Sequence, residues 1–191
     1  MEAERERPDI ARFAAPDSSV TILFTDIENS TGINESVGDE KWLSVLQRHD
    51  TVIRSEVAAH DGHVLKSRGD GFMIIFRDPF DASRCAIAIE RRFADAPVEV
   101  LGAPLRIRIG LHRGTAILRG GDVYGKNVNL AARIADSAAG GQIIVSAALA
   151  EIVGNKLPLG ERREVRFKGL PSPCGVHALD WRGAVPEPSR T

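Results

Sequence analysis

The stretch Lys66-Ser67-Arg68-Gly69-Asp70-Gly71-Phe72-Met73-Ile74-Ile75-Phe76 constrains the fold more than any other part of the chain. It reads as a β-hairpin: a short strand over 64–66, a tight Gly-Asp-Gly turn, and an apolar strand over 72–76. Glycines on both sides of Asp70 relieve backbone crowding and give access to positive φ. The Asp70 carboxylate is thereby held at an exposed turn on a rigid two-stranded base. Such a position suits a hard cation, which takes oxygen ligands in fixed geometry. An ordinary surface hairpin with an Asp-Gly turn fits the same residues, so the rest of the chain must decide.

Before the hairpin, residues 20–26 read as a strand whose alternation, with Leu23 among the outward positions, implies cover on both faces. It ends in Phe24-Thr25-Asp26-Ile27-Glu28-Asn29-Ser30-Thr31, where Asn29, Ser30 and Thr31 can cap a helix whose N–H groups face an anion. From Asp39, the residues Trp42, Val45, Leu46, His49, Val52, Ile53 and Val57 recur at helical spacing up to an Asp61-Gly62 stop. His49 falls on that stripe and reads as a packed helix histidine. After the hairpin, Asp78-Pro79 opens a helix over 80–93 that buries Cys85. Residues 105–111 form a half-buried strand, and 115–118 a further one before the Gly120-Gly121 turn. A helix begins near Val128 and ends at Gly140-Gly141. A strand over 142–145, a short helix capped by Ser146 and a closing pair over 163–168 and 175–181 complete the chain. Strand, helix, hairpin, helix, strand is the order of a ferredoxin-like βαββαβ core, here with extra C-terminal strands, in an α/β (α+β) sandwich.

At 191 residues and 43% hydrophobic content, the chain can build one core without staples. A net charge of −1 does not support a general nucleic-acid binder. The two cysteines lack metal-ligand spacing, and no apolar run approaches the roughly 20 residues that span a bilayer. A cytoplasmic chain without a signal peptide or membrane insertion is expected. Residues 1–18 are expected to be a flexible tail, 19–182 the single folded domain and 183–191 a disordered tail.

Asp26 and Asp70 converge if their strands are neighbours. Two carboxylates completed by substrate phosphates are a common way to hold Mg²⁺ or Mn²⁺, although two unrelated turn aspartates would read the same. Asn129 and Arg133, at i and i+4, share one helix face and could orient a ribose and neutralise a phosphate. A solvated face or a salt bridge is the other reading. Lys66 and Asp122 offer the donor and acceptor that the edge of adenine needs. Lys168, before Gly169 in a late strand, could contact phosphate. Each of these three could equally be a surface charge.

Together, Phe24-Thr25-Asp26-Ile27, Lys66-x-x-Gly69-Asp70-Gly71 and Asp122-x-Tyr124-Gly125-x-x-Val128-Asn129-x-Ala131-Ala132-Arg133 resemble the signature segments of class III nucleotide cyclases. The overall style is similar to actinobacterial single-domain adenylate cyclases, over residues 19–181. The resemblance implies a nucleotide cyclase fold and conversion of ATP to 3′,5′-cyclic AMP and pyrophosphate. It implies two Mg²⁺ or Mn²⁺ ions on Asp26, Asp70 and the Ile27 carbonyl. Lys66 and Asp122 would select adenine, Asn129 and Arg133 would hold the transition state, and Lys168 the triphosphate. The sites would be shared across a head-to-tail homodimer. Tyr124 departs from the Trp of many relatives, and Arg113 adds a cation nearby. A guanylate cyclase is disfavoured by Lys66 and Asp122. A silent signalling module would be expected to lack one of these residues, and none is lost. A diguanylate cyclase is matched only in part by Gly120-Gly121-Asp122.

Overall fold

The computed structural model describes residues 9–183. A 3₁₀ turn at Ala11–Phe13 precedes strand β1 (Ser19–Ile27). Helices α1 (Ser30–Val37) and α2 (Asp39–Ala59) lead to the hairpin of β2 (His63–Arg68) and β3 (Gly71–Phe76). Helix α3 (Pro79–Asp95) and a small ribbon, β4 (Glu99–Val100) with β5 (Ala103–Pro104), lead to the long strand β6 (Ile107–Thr115). A second hairpin, β7 (Ile117–Arg119) and β8 (Asp122–Tyr124), is followed by α4 (Lys126–Asp136). Then come β9 (Gln142–Ser146), α5 (Ala147–Val153), β10 (Arg163–Val165) and β11 (Cys174–Leu179).

The main sheet runs β10-β11-β9-β6-β1-β3-β2. Its β6-β1-β3-β2 half, with α2 and α3 as crossovers, is the expected ferredoxin-like core. β9 joins β6 in parallel, the one parallel pairing among the described residues, and β11 and β10 extend the sheet from there. Both faces of β1 are covered. Leu23 and Ile27 face the main core of α2, α3 and α5, whereas Val20 and Ile22 face a second cluster with Val123 and Ala131. Burying a side chain the size of Phe72, Ile74 or Phe76 stabilises by about 1.5–3 kcal/mol, so β3 is a principal anchor of the main core. The first turn of α3 is closed by Asp78, whose carboxylate accepts the N–H groups of Phe80 (2.6 Å) and Asp81 (3.4 Å). His49 is fully buried between Phe72 and Phe93, and burial lowers its pKa.

Several local expectations are corrected. Ile10 and Phe13, placed by sequence in a polar tail, are buried in the second cluster. Of the tails expected at 1–18 and 183–191, residues 1–8 and 184–191 lie outside the described residues. α2 turns off at Asp61, which itself takes positive φ (54°). Gly62 is needed for space: a Cβ there would lie 2.5 Å from the Phe76 ring. β6 continues to Thr115, and a strand, β8, opens at Asp122 ahead of the helix expected near Val128. α4 stops at Asp136, before Gly140-Gly141. β10 ends at Val165, so Lys168 sits in a turn and not in a strand.

Glu90 of α3 is 3% exposed, and its Oε1 has no hydrogen-bond partner. Burial pushes this carboxyl up to about 8, against the charges of Arg182 and Arg106. The folded state therefore keeps a proton that the unfolded state releases at an ordinary carboxylate pKa, and stability falls as pH rises toward 8. At ~1.4 kcal/mol per pH unit, Glu90→Gln should be the more stable protein by about 2–3 kcal/mol more at pH 8 than at pH 6. Urea unfolding at both pH values tests this; parallel pH slopes for the two proteins would disprove it.

Candidate active site

β1 lies antiparallel to β3, with Thr25 opposite Phe72, so the end of β1 meets the β2–β3 turn. Gly69 takes positive φ (63°) there, and the turn directs Asp70 back over β1. One Asp70 oxygen accepts the Ile27 N–H at 3.2 Å. The Asp26 carboxyl and the hydroxyl of Ser30, the first residue of α1, both act on the Asp70 carboxyl and lower its pKa. The cap expected from Asn29 is not made by its side chain; Asn29 sits at the N-cap with positive φ. The first turn of α1 contributes the Ser30 hydroxyl instead.

Burial pushes Asp26 up to about 6; the hydrogen bond with Asp70 adds to this and Arg108 opposes it. Burial pushes Asp70 up too, but its hydrogen bonds with Asp26, Ser30 and the backbone outweigh that and hold it below the ordinary value. Two carboxyls in contact at one turn cannot both ionise without countercharge. Among the described residues no three His, Cys, Asp or Glu side chains gather into a metal cage. The donor set thus fits a hard divalent ion that completes its shell with water and phosphate oxygens, as Mg²⁺ does.

Arg108 was not singled out in the sequence. β6 lies antiparallel to β1 with Arg108 opposite Asp26, and the guanidinium is hydrogen-bonded to the Asp26 carboxylate. Its Nε is buried without an acceptor, so the side chain has donor capacity to spare. The signal lay in the alternation of 105–111, which put Arg106 and Arg108 on one face; the partner strand was not legible. Arg113 is structural: it donates to the Thr21 hydroxyl (3.1 Å) and the Arg77 carbonyl (3.0 Å).

Lys66 and Asp122, 56 positions apart, meet at 2.6 Å. A β-bulge between Val64 and Lys66 shifts the register beside the lysine. Gly120 and Gly121, both at positive φ, close the β7–β8 hairpin that delivers Asp122. Slight burial works against ionisation of Asp122, but Lys66, the Val123 N–H and the Tyr124 hydroxyl hold its carboxyl below the usual range.

Asn129 and Arg133 lie on the exposed side of α4 and line a cleft of about 370 Å³ with Lys168. Phe167 anchors the turn that carries Lys168 into the third apolar cluster. Arg133 lies 3.8 Å from Asp136, an exposed pair of little energetic weight. None of Asp26, Asp70, Lys66 and Asp122 lines this cleft. The expected residues therefore assemble into three groups: the carboxylate pair, the Lys66–Asp122 pair and the α4 cleft.

The chain is similar to an uncharacterized protein of Mycobacterium tuberculosis, 32% identical over 177 residues, which cover 90% of this chain and 59% of the relative. It thus spans about three-fifths of that relative's length. A receptor-type adenylate cyclase of Trypanosoma brucei brucei is 29% identical over 216 residues, covering 90% of this chain and 17% of the relative. Among solved structures, an adenylate cyclase from Trypanosoma brucei in its monomeric state superposes with a TM-score of 0.79 at 25% identity, covering 91% of this chain and 94% of that one. The guanylyl cyclase Cya2 superposes with a TM-score of 0.77 at 25% identity, covering 90% and 95%. The family model of the adenylate and guanylate cyclase catalytic domain matches residues 13–180, and the chain belongs to that class III cyclase family.

Proposed function

We propose that this domain is an adenylate cyclase, converting ATP to 3′,5′-cyclic AMP and pyrophosphate at sites shared between two copies of the chain. The observation that carries the choice of base is the Lys66–Asp122 pair at 2.6 Å. Lys66 can donate to a ring nitrogen, and ionised Asp122 can accept from the exocyclic amine. Guanine, with a carbonyl where adenine has its amine, leaves Asp122 facing an acceptor.

Asp26, Asp70 and the Ile27 carbonyl would hold Mg²⁺ or Mn²⁺. Bound there, divalent ions supply charge stabilisation to the attacking and leaving oxygens of a phosphoryl transfer. Asn129 orients the ribose so that its 3′-hydroxyl is in line with the α-phosphorus, and Arg133 stabilises charge developing on the α-phosphate. Lys168, beside them in the cleft, binds the triphosphate as a point charge. The Arg108 guanidinium, released when a cation competes for Asp26, would be free to turn toward phosphate.

Purified protein is incubated with ATP or GTP and Mn²⁺ or Mg²⁺, and the products are separated by chromatography. Cyclic AMP with pyrophosphate is expected, and cyclic GMP as the main product would overturn the choice of base. No product from either nucleotide, at a concentration where dimers are demonstrated, would point to a silent signalling module. Lys66→Glu is expected to shift the ATP-to-GTP preference by about tenfold or more, roughly one lost hydrogen bond to a charged group. An unchanged ratio would remove Lys66 from the base pocket.

A further inference from the structure

His112 lies in the middle of β6, 5% exposed, on the face that α4 covers. α4 sits very close to the sheet at this point. A Cβ on Gly110 would lie 2.2 Å from the Ala135 nitrogen, and one on Gly114 2.6 Å from the Asn127 carboxamide carbon. Between these two glycines the imidazole makes two hydrogen bonds. Nδ1 is 2.8 Å from the Ser146 hydroxyl, and Nε2 is 3.0 Å from Asn127 Oδ1.

The roles in this chain of bonds are determined by its ends. Asn127 Nδ2 donates to the Thr115 carbonyl at 2.7 Å, which turns Oδ1 toward the imidazole. An amide oxygen only accepts, so His112 Nε2 carries the proton. Nδ1 is then an acceptor for the Ser146 hydroxyl. Ser146 Oγ accepts the Leu149 N–H at 3.3 Å and caps α5. Burial disfavours the imidazolium, against the Asn127 contact, and keeps the ring neutral. The N-cap of α4, Gly125, makes no side-chain cap. The start of α4 is instead fastened to the sheet through Asn127.

We infer that His112 is a positioning residue for the cyclase reaction: as the Nε2–H tautomer it pins Asn127 and so sets where α4 presents Asn129 and Arg133. This rests on the roles proposed above for those two side chains. Asn129 is two residues beyond Asn127, and Arg133 is one turn further on. A loosened first turn displaces both from the reacting phosphate while leaving the carboxylate pair and the Lys66–Asp122 pair in place. The loss therefore falls on kcat and spares KM.

The test compares His112→Gln with His112→Asn. The Gln amide nitrogen reaches the Nε2 position and can still donate to Asn127; Asn reaches only the Nδ1 position. His112→Asn should lower kcat by about tenfold to a hundredfold with KM for ATP changed less than about threefold, and Gln should recover most of the loss. Asn127→Ala should give the same loss, and adding His112→Asn to it should cost little more. Equal losses in the Asn and Gln variants, or additive losses in the pair, overturn the inference. If His112→Asn does not fold, Asn127→Ala and Gly114→Ala reach the same contact from the exposed side, and normal kcat in both overturns it. Imidazole ¹⁵N resonances of the unsubstituted protein give a readout independent of turnover. An Nε2–H ring whose protonation is held below the usual histidine range is expected; an Nδ1–H ring or an ordinary titration overturns the inference. A protein that makes no cyclic nucleotide but shows the expected ring would refute the proposed reaction and leave the fastening intact.

Discussion

Asp26→Ala and Asp70→Ala are each expected to lower turnover by about a thousandfold or more, because on the proposed metal assignment the several kcal/mol of charge stabilisation supplied through a divalent ion would be lost with either aspartate. The two variants should differ in stability. Asp26 touches a like-charged neighbour, and its removal relieves that contact while freeing Arg108, which is partly exposed and can be solvated. Asp70 accepts the Ile27 N–H, so its removal leaves a backbone donor unpaired at a cost of about 1–2 kcal/mol. Product formation with Mn²⁺ and Mg²⁺, together with urea midpoints, measures both effects. Metal-dependent turnover within about tenfold of the parent in either variant would remove that aspartate from the metal site.

Mixing inactive Asp70→Ala chains with inactive Arg133→Ala chains is expected to restore about a quarter of the parent turnover, since half of the randomly paired dimers are mixed and each mixed dimer has one intact site. The expectation rests on the separation of the groups within one chain. The α4 cleft contains Asn129, Arg133 and Lys168 but neither Asp26 nor Asp70. Lys168 follows β10, at one edge of the sheet, whereas Asp70 sits in the turn next to β2, at the other. Two copies packed head to tail can bring the α4 cleft of one against the carboxylates of the other. Mixed dimers demonstrated by differential tagging, yet without activity, would refute the shared site.

Those features that depend on local chemistry were legible in the residues. The apolar β3, the Asp78-Pro79 start of α3 and the alternation along β6 each specify their element within a few positions. The three signature segments contain the candidate site residues other than Lys168, and the Lys66–Asp122 contact joins two that were paired by hydrogen-bond complementarity. Short-range reading failed where a distant contact outweighed propensity. Asp122 opens β8 because β7 pairs with it, not because Asp favours strands. Ile10 and Phe13 fall in a stretch expected to be a flexible tail, and it is the second face of the sheet that gives them something to cover.

Arg108 and His112 show the same limit at the site. Arg108 reads as one more position in an alternating strand, and His112 as the residue just past its end. Their roles arise from partners in other elements: Asp26 across the β1–β6 ladder for one, Ser146 and Asn127 for the other. The sequence by itself determined the order of the main elements and the identity of the charged groups, because these follow from periodicity, turn chemistry and spacing along the chain, and its three signature segments carried the resemblance to the family. Only the tertiary structure decided which groups touch, which carboxyl keeps its proton and which tautomer a buried imidazole adopts. Those depend on separation and solvent exclusion in space, and strand pairing brings together residues that spacing along the chain leaves dozens of positions apart.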